Sequence, residues 1–127
     1  MKYVAVEGMT LVFTSGVNPA VVVYNPVTGS PNVSVDGNGV CLDGLTLTAT
    51  SWEITVGSLV YAGAGTVTAD FSSSAEYVSV DGKKVLLEGD EATLNVEATN
   101  VENPSDTQLF SITAKIVMAG QTVMKAD

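Results

Sequence analysis

Twelve residues of this chain occur twice. Val33 to Gly44 reads VSVDGNGVCLDG and Val78 to Gly89, 45 positions later, reads VSVDGKKVLLEG, with eight of the twelve identical. A segment repeated at a fixed period is one supersecondary unit used more than once, and such chains more often bind, cap or scaffold than enclose a deep catalytic cleft. Within the first copy Val33 and Val35 point one way, Asp36-Gly37 supplies a turn with positive φ, and Val40 and Leu42 return, which is a β-hairpin. The same register carries on into a following strand, through Leu47 and Ala49 after the first copy and Ala92, Leu94, Val96 and Ala98 after the second.

The rest of the chain agrees with a sheet. Its 127 residues suit one domain, and 21 valines and 14 threonines fit a pleated, half-buried surface better than the crowded turns of a helix. The expected class is all-β: a compact single domain over residues 1–127 built from repeated β-hairpins. Tyr3 to Thr14 reads as a first strand, and the run Ala20 to Tyr24 reads as a strand buried on both faces. Trp52 is a large plug for the core, and Gly57, Gly63 and Gly65 mark a corner after it. A degenerate third hairpin is expected at 116–125, turning at Ala119-Gly120-Gln121. Three hairpin units suggest a pseudo-threefold cone; a β-sandwich is the alternative.

Charge removes several functions. Fourteen acidic residues oppose five lysines, no arginine and no histidine, for a net charge of −9. Nucleic-acid binders neutralise phosphates with clustered bases, and only Lys83-Lys84 are adjacent here, so neither nucleic acid nor an anionic membrane is an expected partner. The one cysteine, Cys41, takes the place of Leu86 in the other copy and reads as a core residue; no disulfide can form within the chain. MKYVAVEGMTLVF has no signal-peptide pattern, so synthesis in the cytoplasm is expected.

The run SVDGKKVLLEGD (Ser79 to Asp90), entered through FSSSAEYV and followed by VMAGQTVMKAD (Val117 to Asp127), resembles the PAAR-like proteins that sharpen the spikes of contractile injection systems, including type VI secretion, and of phage tails. The resemblance implies a small cone of β-hairpins seated on a trimeric spike protein, in some cases with an effector, and assembled into a secretion or virion particle. Many relatives hold a metal at the tip through His and Cys. This chain has no His and one Cys, so it would be a metal-free variant with no cofactor.

Other candidate sites read as plain structure. Asp36 and Asn38 have the spacing of a calcium loop but lack its remaining oxygens. Glu88, Asp90 and Glu91 form the densest acid cluster and are the one place where a weak cation could bind; a solvated turn is the default. Ser72-Ser73-Ser74 has no histidine to activate it, so no catalytic residue is assigned and the protein is expected not to be an enzyme. Tyr24, Trp52, Tyr61 and Tyr77 could stack on a sugar but alternate as core residues do. A structural tip on a trimeric spike is the favoured function; an Ig-like sandwich that decorates a capsid or binds a surface glycan is the alternative.

Overall fold

The computed structural model describes residues 1–127 as twelve strands with no helix. Three long hairpins dominate: β2 (Thr10–Ser15) with β3 (Asn18–Tyr24), β6 (Thr46–Val56) with β7 (Leu59–Asp70), and β10 (Glu91–Asn100) with β11 (Thr107–Met118). They join into one closed antiparallel barrel in the order β10-β11-β2-β3-β6-β7. The all-β class is therefore present, while the sandwich is not: one sheet closes on itself where a sandwich needs two sheets face to face. Alternation positions the core, and β10 shows it cleanly, with Ala92, Leu94, Val96 and Ala98 buried and the residues between them exposed. β3 obeys the same rule. Val22 is buried but Val21 and Val23 are 67% and 58% exposed, so the valine run is not covered on both faces; its outer side is the outer side of the barrel.

The two repeated segments form two-residue hairpins as their Asp-Gly pairs require. β4 (Ser34–Val35) pairs with β5 (Asn38–Gly39), and β8 (Ser79–Val80) with β9 (Lys83–Lys84). Asp36 and Gly37 have φ of 52° and 83°, Asp81 and Gly82 of 54° and 80°, the pair of positive values that a type I′ turn needs.

The expected third hairpin at 116–125 does not form. Both edges of β11 are already taken, by β10 and by β2, so the chain after Met118 has no edge to fold back on. It leaves the barrel instead and ends in β12 (Lys125–Ala126), which pairs with β1 (Lys2–Tyr3) at the other end of the sequence. This is the third copy, divided between the termini. Lys125↔Tyr3 and Ala126↔Lys2 match Ser34↔Gly39 and Val35↔Asn38, and Val4-Ala5-Val6-Glu7-Gly8 matches Val40 to Gly44 and Val85 to Gly89. The expected first strand, Tyr3 to Thr14, is accordingly broken at Gly8 into ribbon and barrel parts.

The three copies meet in a ring. Ala5 N–H donates to Leu86 O (2.8 Å), Leu86 N–H to Cys41 O (2.9 Å), and Cys41 N–H to Ala5 O (2.9 Å), which closes the cycle. A second cycle lies beside it, from Glu7 N–H to Gly39 O, Asp43 N–H to Lys84 O and Glu88 N–H to Tyr3 O, at 2.9, 2.7 and 3.0 Å. Equivalent atoms make equivalent bonds in all three units, so they are related by a pseudo-threefold rotation. Because successive residues of a strand point to opposite sides, the ring also divides the interior. Ala5, Cys41 and Leu86 enter the main core with Leu47, Ile54, Leu94 and Ile112, while Val4, Val6, Val40, Val85 and Leu87 build a second core under the ribbons.

Candidate functional site

The ribbon end of the molecule is held by a device used three times. Each central strand ends in an acid followed by a glycine: Glu7-Gly8, Asp43-Gly44 and Glu88-Gly89, the glycines at φ of 86°, 84° and 96°. There the carboxylate turns back to accept a backbone N–H from the loop that leads into a ribbon: Gly29 to Glu7 at 2.8 Å, Ser73 to Asp43 at 2.7 Å, and Ala119 to Glu88 at 2.9 Å. Charge-assisted bonds of this kind are stronger than neutral ones, so each ribbon is tied to the ring at its base. The divided ribbon has further ties. Buried Gln121 donates to Val4 O and Met124 O (2.8 and 2.7 Å) and accepts from Val123 and Met124 N–H; the Met1 ammonium lies 3.4 Å from Asp127 Oδ1, and Lys125 Nζ sits 4.6 Å from the Tyr3 ring centroid.

The acid cluster singled out in the sequence is dispersed into these roles. Glu88 caps the Ala119 loop, and Asp90 is buried, accepting Leu87 N–H at 2.8 Å and the Ser74 hydroxyl; Glu91 is exposed on β10 opposite Lys115. No three of the His, Cys, Asp and Glu side chains gather where an ion could be held, and this includes Asp36, which sits in a hairpin turn. Ser72, Ser73 and Ser74 belong to the loop before the second ribbon, where Ser73 Oγ donates to Val85 O. Cys41 is fully buried, and burial, with a smaller push from nearby Glu7, raises its thiol pKa to about 12.

The aromatics separate. Trp52 and Tyr61 are core residues, Tyr24 packs against Phe13 with ring centroids 5.5 Å apart, and only Tyr77 stands free, 77% exposed. At the barrel tip Tyr61 donates its hydroxyl to Asp106 (2.6 Å), and Gln108 donates to both. The hydrogen bond raises the Tyr61 pKa and lowers that of Asp106, with Gln108 and Asn100 adding to the lowering.

One concave feature lies in the barrel wall between β7 and β10. These neighbours are joined at one end by Ala62↔Thr99 and Tyr61↔Asn100, and at the other by a bridge from Ser72 to Glu91. Between the joints the β7 side, 63–71, has two residues more than the β10 side, 92–98, and the register of β7 against β6 also slips there, between Ala49 and Ser51. The wall bows into a groove of about 960 Å³. Its floor is Trp52, whose indole N–H donates to Glu97 O at 3.0 Å, a bond that an ordinary ladder would have given to a strand. Gly63 makes this possible: a Cβ there would stand 2.5 Å from Glu97 O and against Trp52 Nε1. Gly63 and Gly65 are thus not a corner but positions within β7, the first cleared for the indole and the second at φ of 153°. Nothing short of knowing that Trp52, Gly63 and Glu97 converge would have marked this groove.

The molecule is, by its architecture, an all-β barrel domain carrying three ribbons on a ring. In comparison with known proteins, no family model, curated protein or solved structure matches the chain.

Proposed function

We propose that this protein is a non-enzymatic structural tip, PAAR-like in character, that caps a trimeric spike of a contractile injection system or phage tail. The supporting observation is the closed cycle of backbone bonds through Ala5, Cys41 and Leu86, which gives one chain three equivalent faces. A trimeric partner offers three identical surfaces about its axis. A single chain can meet all three by repeating one backbone frame about that axis, and the equivalent bonds of the three units are such a repetition. The ring also suits a rigid load-bearing part: its strands are paired on both sides, the side chains on both faces are buried except for half-buried Leu42, and no buried side-chain polar atom lacks a partner.

The test is native mass spectrometry of this chain mixed with the trimeric spike protein encoded beside it. One copy bound per trimer is the expected result, weakened by arginine at the equivalent ribbon positions Ser34 and Ser79. Absence of a complex, or three copies per trimer, would sink the proposal.

A further inference from the structure

The groove between β7 and β10 is a different surface from the ribbons and raises a separate question: what its backbone is for. Along β10 the residues that turn their N–H and C=O toward β7 can be read from the bonds already made. Thr99 pairs with Ala62, Glu97 O accepts from Trp52, and Glu91 O accepts from Ser72 N–H at 3.3 Å, whereas Asp90 O turns the other way to accept from Ile116. Antiparallel strands alternate in this respect, so the odd-numbered residues face the groove. Thr93 and Asn95 therefore turn both backbone groups toward β7 and Glu97 its N–H, five hydrogen-bonding groups that no ladder pair joins to β7. Every joint that would have paired them is displaced by the two extra residues of β7.

We infer that this groove takes an extended, basic segment of a partner protein, added as a short strand along the edge of β10. Seven residues, 92–98, lie between the two joints, and Gly63 already stands against Glu97 O, so the open run lies within 93–96, roughly 13 Å at the ordinary strand rise. The charge fits in sign. Glu97 is the one charged residue that lines the groove, Asp70 and Glu91 lie beyond it beside the Ser72–Glu91 joint, and one base, Lys115, is opposite Glu91; the other four lysines, Lys2, Lys83, Lys84 and Lys125, are all in the ribbons. Backbone pairing supplies the binding energy in strand addition, and flanking side chains select the partner. The bulge leaves β7 without a ladder to β10 beyond Ala62, with Gly65 at φ of 153° and the Trp52 indole taking the place of a strand partner at Glu97 O.

Trp52 is the only tryptophan and forms the floor, so it reports directly. The probe is the blocked peptide KTVTVTK, titrated against the intact protein by Trp52 fluorescence, with amide exchange to locate the contact. A saturable change with slowed exchange at Thr93, Asn95 and Glu97 is expected, at least tenfold weaker for the counterpart with glutamates in place of the lysines. The same peptide N-methylated at alternate amides should not bind. In Thr93→Pro the protein loses an N–H that no ladder pair joins to β7, so folding should survive while affinity falls at least tenfold. No saturable change at millimolar peptide, equal binding by the N-methylated or acidic peptide, or protection elsewhere on the barrel would each overturn the inference. None of these outcomes bears on the spike complex, which is scored by stoichiometry at the ribbons.

Discussion

Joining the two ends of the chain is the sharpest test of the divided third copy. By register Asp127 occupies the place of Asp36 and Asp81, and Met1 that of Gly37 and Gly82. A backbone-cyclised protein carrying Met1→Gly should therefore close with a direct Asp-Gly bond and no linker, regenerating the type I′ turn of the other two ribbons. Closing a loop of 127 residues removes about 5 kcal/mol of chain entropy from the unfolded state in the simplest model. The exposed ion pair between Met1 and Asp127 is lost in exchange, at a cost of at most about 1 kcal/mol. The net expectation is a gain of about 4–5 kcal/mol, or roughly 15–20 °C in Tm at the unfolding entropy usual for this size. The assay compares cyclic and linear Met1→Gly proteins by thermal and urea unfolding, with amide exchange at Tyr3 as a local readout. A cyclic protein no more stable than the linear one would mean that the ends do not meet in hairpin geometry, and the pseudo-threefold account of the ring would fall with it.

Three further outcomes follow from particular contacts. Gly63→Ala should cost about 2–4 kcal/mol, because the new methyl must break the Trp52–Glu97 bond and strain the wall; urea unfolding measures it, and an unchanged Trp52 emission maximum would refute the packing. Tyr61→Phe should flatten stability at both ends of the pH range: the lowered Asp106 pKa gives stability that is present above about 3.8 and lost as pH falls through the folded value, and the raised Tyr61 pKa gives stability that is present below about 10.0 and lost as pH rises through the folded value. Urea midpoints against pH for the two proteins should converge at both extremes; parallel curves would contradict this. Cys41, with its thiol pushed up to about 12 from 9.0, should react with iodoacetamide at pH 8 roughly 10³-fold more slowly than in denaturant, and comparable rates would show that the ring opens readily.

How much of this could be read from the sequence differs from element to element. The ribbons at 33–44 and 78–89 were legible because Asp-Gly at positive φ is a local requirement, and Cys41 because its partner in the other copy is Leu86. The third copy was not, since contiguous repeats are what a sequence displays, and this one runs from Met124 to Asp127 and resumes at Met1. Its motif was in plain view as M-K-A-D and V-A-V-E-G. Burial on both faces of Ala20 to Tyr24 fails for another reason: hydrophobicity alone cannot say whether a valine run faces a second layer or water, and closure into a barrel leaves the outer side bare. Glu88, Asp90 and Glu91 are close in sequence, yet the turn at Gly89 sends them to three different tasks. The groove was invisible because it depends on a two-residue excess of one strand over another, and register is a tertiary property.

The ring through Ala5, Cys41 and Leu86 has a consequence for substitution. Rotation makes these three sites one place seen three times, yet they are filled by a small, a medium and a large side chain, all fully buried in the same core. What that layer constrains is then a total volume and not an assignment of residues to positions. Exchanging Ala5 and Leu86 together keeps the sum, while either change alone leaves a void or an overfilled layer. The chain is free to drift around its own axis so long as the three steps are taken together.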